Sequence, residues 1–320
     1  EAFFDDLARG GTTTAVLNAA IWEDSTDLAF QIAQERGLRA IIGKVMMDVG
    51  SYGQSQPPEA RRRSIEETRR LAEKWHGAND GLLEFAVSPR FAVSCSAELM
   101  QEAAAIAAEC GTYLQTHLAE NTGEVETVRE LFPGARDYTD VYAANNILTP
   151  KTLLAHAVHL SDREIEAIAT SGAAIAHCPT SNFFLNSGLC PVNRHREAGI
   201  RIGLGSDVAG GPELNMWQVM RSAIEAQQAR AFADPEVPAL SPTNAFHMAT
   251  AGGAAALGKE AAIGTLAPNK EADLAVIDLN RVFPLDGRFT GALDPEQILS
   301  ARVYRGHPSA TVKTRVRGTV

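Results

Sequence analysis

The chain has 320 residues, 45% of them hydrophobic, which is enough apolar material for one large domain. With 39 acidic against 29 basic side chains the formal charge is -10, which argues against duplex nucleic acid or an anionic membrane as partner and favours a small neutral or cationic substrate. The four cysteines, Cys95, Cys110, Cys178 and Cys190, form no CxxC pair and no apolar run approaches the roughly 20 residues that cross a bilayer, so a cytoplasmic protein without a disulfide framework is expected.

The opening EAFFDDLARGG predicts the end of an amphipathic helix, with Phe3, Phe4, Leu7 and Ala8 apolar and Gly10-Gly11 as terminator. A chain that starts inside a helix without methionine is expected to be truncated at its N-terminus. Beyond it, short β-branched runs alternate with stretches of helical period. Strands are predicted at 13–18, 39–46, 83–88, 113–117, 152–156, 173–177 and 201–205, and helices at 64–75, 97–109, 123–131, 162–170 and 216–230. Ser64 and Glu67 of the first of these helices have capping-box spacing. This alternation predicts an α/β protein, a (β/α)8 TIM-type barrel that lacks its first strand. The barrel (strands 2–8) is expected to occupy 1–262. Residues 263–320 are expected to form part of a small β-sandwich appendage plus a terminal segment, because IGTLAPNKEADLAVIDLN alternates and SARVYRGHPSATVKTRVRGTV reads as strand again.

Buried strand interiors are apolar by necessity, so polar residues at successive strand ends need a reason. They are Arg90, His117, His156, His177 and Asp207. In QTHLAEN, His117 can bind a metal while Glu120, three residues on, faces a metal-activated water and takes its proton. The plainer alternative is a strand-end histidine and a glutamate that complements a helix dipole. His156 in LLAHAVH should point into the barrel mouth, whereas His159 should face elsewhere. His177 in AHCPTSN is either a ligand or a support, Thr180, Ser181 and Asn182 are candidate helix caps, and Cys178 is expected to be a small buried thiol. Asp207 in IGLGSDVAGG is a ligand or a residue that starts a turn.

PRFAVSCS, THLAEN, LLAHAVHLSDREI, AIAHCPTSNFFLNSG and GLGSDVAGG resemble segments of the metal-dependent amidohydrolase superfamily, and within it those of the guanine deaminases. The likeness runs over most of the chain. Its most discriminating piece is SPRF, residues 88–91. The resemblance implies hydrolytic deamination of guanine to xanthine and ammonia by a metal-activated water, a role in purine catabolism, one Zn2+ per subunit with Fe2+ as the alternative, and a homodimer. It also implies that His117 and Asp207 are metal ligands, that Glu120 carries the proton, that His156 contacts the substrate or the attacking water, and that Arg90 and Phe91 hold the purine. A guanidinium suits the carbonyl and ring nitrogen of such a base, and an aromatic ring can pack on its face.

One departure matters. The family takes two further ligands from an HxH motif, and no HxH occurs in these 320 residues. Catalytic zinc usually has three protein ligands, so this chain alone is expected to bind metal poorly. Two rival readings stay open: a sister amidohydrolase acting on 8-oxoguanine, a triazine or a pyrimidine, and an inactive fragment or non-catalytic relative.

Overall fold

The computed structural model describes residues 1–53, 56–285 and 293–319. It divides into two compact units, one of Thr14–Ile175 and one of Glu1–Thr13 with Ala176–Val320.

The unit of Thr14–Ile175 holds strands β1 (Thr14–Asn18), β2 (Arg39–Gly43), β3 (Val45–Met46), β4 (Leu83–Pro89), β5 (Tyr113–Leu118), β6 (Thr152–His156) and the first half of β7 (Ala174–His177). β1 pairs with β2, β2 and β3 with β4, β4 with β5, and β5 with β6, all in parallel. β2 is buried at every position, as a central parallel strand covered on both faces must be. The single strand expected at 39–46 is broken at Lys44, whose buried ammonium donates to the Tyr52 hydroxyl at 2.7 Å and meets Glu67 at 3.2 Å. That pairing takes Lys44 out of the ladder, and β3 resumes opposite Ser88 and Pro89. Just before it, Gly43 leaves room for a side chain that crosses β2. Gln115 donates to Ser88 Oγ at 2.8 Å and to the Leu17 carbonyl at 3.0 Å, and a Cβ on residue 43 would lie 1.8 Å from Ser88 Oγ and 2.6 Å from Gln115 Nε2.

The helix expected at 64–75 begins seven residues earlier, as Pro57–Trp75. Two prolines at its start have φ preset for the first turn, so Ser64 does not cap; it is buried in mid-helix, 3.4 Å from Lys44 Nζ. Ala60, Ser64, Thr68, Leu71, Ala72 and Trp75 make the buried stripe of helical period, and Trp75 stacks on Phe30 at 5.0 Å. Ala97–Cys110 starts where expected, its Ser96 cap accepting from Leu99 N–H at 3.1 Å.

In the other unit the N-terminal helix spans Ala2–Gly10, with Phe4 and Leu7 buried and Gly11 left-handed at φ 90°. The unit also holds the second half of β7, β8 (Arg201–Leu204), the long helix Met216–Ala233, and an antiparallel pair, β9 (Leu274–Ile277) with β10 (Thr311–Arg315). The 300–320 stretch expected to be all strand-like is helical at its start. Asp294 and Gln297 form a capping box and Pro295 opens a helix that runs to Arg305, so Val303 packs at helical rather than strand period. Residues 286–292 and 320 of the expected appendage lie outside the described residues. The α/β class, the parallel strands that follow one another in chain order, with the expected 39–46 strand split in two, and the small antiparallel sheet are those expected from the sequence. Among the described residues no helix is long and apolar enough to cross a membrane.

Candidate active site

His117 lies one residue before the end of β5 and His156 is the last residue of β6. In the parallel register His117 is opposite Ala155, so strict alternation would turn His156 to the opposite face. Residue 156 leaves the strand conformation instead, with φ 71°, followed by Ala157 at φ 51°. This left-handed pair, costly for residues with a Cβ, re-aims the imidazole so that the two rings stack at 5.4 Å between centroids. A ring nitrogen of each then lies within 4.8 Å of the other. Ala119, at φ 46°, is strained in the same way between His117 and Glu120, and Glu120 Oε2 comes within 3.6 Å of His156 Nε2.

The tautomer of His117 follows from its partner. Nδ1 is 2.9 Å from the Arg90 carbonyl oxygen, which can only accept, so Nδ1 carries a proton and, in the neutral ring, Nε2 presents its lone pair. A neutral imidazole held by a carbonyl in this way is the form that ligates a divalent ion, and two nitrogen donors this close suit zinc or iron(II). The donors in this unit therefore fit a metal.

The same carbonyl belongs to the segment expected to hold substrate. Arg90 N–H donates to the Met46 carbonyl at 3.1 Å, and the exposed guanidinium lies 5.0 Å from the Phe91 ring centroid and 3.9 Å from Met47 Sδ. Among the described residues no carboxylate forms an ion pair with Arg90, so its charge is not consumed by a surface salt bridge. One unexpected residue braces this segment. Asp48, buried in the loop after β3, accepts from Ser96 N–H at 2.8 Å and from its hydroxyl at 2.5 Å. A carboxylate next to MM in GKVMMD was the only signal for it, and a lone acid gives no indication of its partner.

The other unit holds Asp207, Ser181, His177 and Cys178. Asp207 follows β8 at φ 51°, and its Oδ2 accepts from Ser181 Oγ at 2.6 Å. Ser181 was expected to cap the helix Pro179–Phe184, but Cys178 is at the cap position and no side chain caps there; the Ser181 hydroxyl orients the Asp207 carboxylate instead. Both glycines of DVAGG are required by this packing, since a Cβ at Gly210 would be 2.7 Å from Asp207 Oδ2 and one at Gly211 would be 3.0 Å from Ser181 Cβ. His177, at the end of β7, is buried, and its carbonyl accepts from Gly205 N–H at 2.9 Å. Cys178 is buried as expected. His159 N–H donates to the Ala119 carbonyl at 3.1 Å, which ties the loop after β6 to the loop after β5.

Comparison with known proteins agrees with these features. The sequence profile of the amidohydrolase family matches residues 1–319. A guanine deaminase of Dictyostelium discoideum is 39% identical over 274 residues, which are 86% of this chain and 60% of that protein, so the chain spans less than two thirds of that relative's length. Among solved structures, Escherichia coli guanine deaminase superposes on 99% of this chain and 73% of its own with a TM-score of 0.91 and 32% identity. Guanine deaminase from C. acetobutylicum, solved with guanine bound in its active site, gives the same TM-score of 0.91 at 30% identity over 99% of this chain and 74% of its own. With the profile matching nearly end to end and the strand-end histidines and aspartate in place, the chain belongs to the amidohydrolase family.

Proposed function

We propose that the protein carrying this chain deaminates guanine hydrolytically to xanthine and ammonia. The observation that supports this most directly is the bond from His117 Nδ1–H to the Arg90 carbonyl, because it joins a histidine poised for metal to the segment suited to a purine. The guanine deaminase relatives support the choice of base.

In this reading His117 and Asp207 hold one divalent ion per subunit, zinc in the first instance, together with ligands not found in these 320 residues. When bound, the ion lowers the pKa of water to about 7 and so supplies a nucleophile at neutral pH. Arg90 donates to the carbonyl and ring nitrogen of guanine, and Phe91 packs against its face. Glu120 takes one proton from the attacking water to a ring nitrogen, and then carries the remaining proton of the new hydroxyl to the exocyclic amine. His156, held against Glu120, orients the water and stabilises negative charge as the tetrahedral carbon forms. The carbon–amine bond then breaks and ammonia leaves. We further assign the protein to purine catabolism in the cytoplasm as a homodimer, with the barrel at 1–262 and the small β-rich domain at 263–320.

The test is ammonia release by the full-length, zinc-loaded protein from guanine, 8-oxoguanine, adenine, cytosine and an aminotriazine. Turnover of guanine with the highest kcat/KM is expected. If another ring is deaminated and guanine is not, the sister-enzyme reading replaces this one, and no turnover of any leaves the non-catalytic reading.

A further inference from the structure

The two strand-end loops of the Thr14–Ile175 unit are each followed by a helix with a capping box. Asn121 and Glu124 cap Thr122–Leu131, and Ser161 and Glu164 cap Asp162–Ser171. A capping box uses one carboxylate oxygen to reach back to the cap, and its glutamate ordinarily keeps the other in water. Here both glutamates are buried, at 8% and 5% exposure, and in both the second oxygen is taken by one short helix, Tyr138–Ala144. Tyr138 donates to Glu124 Oε1 at 2.6 Å, while Thr139 N–H and Oγ1 both donate to Glu164 Oε1 at 3.2 Å. On the far side of each carboxylate are the loops themselves. Glu124 Oε2 accepts from Glu120 N–H at 2.8 Å, and Glu164 Oε2 accepts from Ser161 N–H at 2.9 Å and its hydroxyl at 2.8 Å.

The same helix reaches two more site residues. The Tyr142 hydroxyl, fully buried, donates to the His117 carbonyl at 2.6 Å and lies 3.1 Å from Thr116 Oγ1, which is 3.2 Å from the Arg90 carbonyl. Tyr138 also accepts from Ala92 N–H at 3.3 Å, one residue beyond Phe91. Arg163 closes the circle by pairing with Asp137, the cap of the short helix. Buried carboxylates and hydroxyls persist only when their bonds are satisfied, so a displacement at one end of this network is costly unless the other end follows.

We propose that the helix Tyr138–Ala144 is a positioning element that couples the loop bearing His117 and Glu120 to the loop after His156, through Tyr138, Thr139 and Tyr142. None of these side chains touches the reacting atoms. Their part is to hold the Glu120 amide, the His117 carbonyl and the Arg90–Ala92 segment in one frame, and this role in catalysis rests on the functional reading above.

The experiment uses the full-length, zinc-loaded protein and the variants Tyr138→Phe and Thr139→Val, followed by hydrogen exchange of the peptide covering 117–125 and by guanine kinetics. Tyr138→Phe should speed exchange at Glu120 and Asn121 about tenfold and lower kcat about tenfold, with KM and zinc content within about twofold, the scale of effect usual for groups that orient site residues. Thr139→Val touches only the Glu164 side. It should nevertheless speed exchange at Glu120, which a purely local helix cap would not transmit. Unchanged exchange at Glu120 in Thr139→Val overturns the coupling. Faster exchange with unaltered kcat, in a wild type that turns over guanine, overturns the positioning role. If the wild type does not deaminate guanine but both variants speed exchange, the coupling stands and only the functional reading falls.

Discussion

Replacing Glu120 with glutamine swaps a proton acceptor for an amide of nearly the same shape. In the full-length protein we expect kcat to fall by about 10²–10⁴-fold while zinc content and KM stay within about twofold, as checked by steady-state kinetics and metal analysis. Activity within about tenfold of wild type would remove Glu120 from its role. Arg90→Ala removes charged donors worth about 1.5–3 kcal/mol, so KM for guanine should rise by about 10- to 100-fold with a smaller change in kcat. An unchanged KM would count against the purine assignment. His195 offers a test of stability that does not involve the site. It is buried beside Cys190, Nδ1 to Sγ 3.8 Å, and burial, with smaller effects from the charges of Arg194 and Arg230, pushes its pKa from 6.5 down to about 4. As pH falls the unfolded chain takes this proton first, so stability is lost from about pH 6.5 down to about pH 4, by about 3 kcal/mol. His195→Gln should flatten the pH dependence of Tm in that window, and identical slopes for the two proteins would refute the claim.

At the level of elements, local patterning identified the parallel strands to within a residue or two, because each is a short, largely apolar run set between stretches of helical period. Two of the differences, at Lys44 and Ser64, share a cause. Lys44 looked like part of a strand and Ser64 like a cap, yet the two are within 3.4 Å of each other in a buried polar cluster that links residues twenty apart. Neither role has a local signature. The crossing of β2 by Gln115 is similarly non-local, and it supplies a prediction for the element. Gly43→Ala would drive a methyl group into Ser88 and the Ala86 carbonyl, 1.8 and 2.3 Å away, and should cost about 1–3 kcal/mol in thermal or denaturant unfolding. Gly134→Ala, with nothing within 4 Å of its Cβ, is the control and should be close to neutral. Equal effects for the two would mean that β2 yields more readily than close packing allows.

For the molecule as a whole the decisive quantity is metal. This chain supplies two of the assigned ligands, His117 and Asp207, and it spans 60% of the length of its Dictyostelium relative. In the full-length protein zinc at about 100 times its Kd should add about 2.7 kcal/mol of stability, read as a rise in Tm that a chelator reverses. His117→Ala should abolish that rise. A zinc-independent Tm in the wild type would refute the metal assignment.

The order of strands and helices, the amphipathic N-terminal helix and the placement of Arg90, His117, His156 and Asp207 at strand ends could all be read from the sequence. Each depends on periodicity or on the apolar demand of a buried strand, both local properties of the chain. Tertiary structure alone decided the rest. The left-handed turn of His156, the proton on His117 Nδ1, the hydroxyl of Ser181 on Asp207 and the bridging of two capping boxes by one short helix all depend on which groups meet after the chain has folded back on itself. Hydrogen bonds are directional and short, and buried polar groups must find their partners wherever the packing places them, so sequence separation carries no record of those pairs.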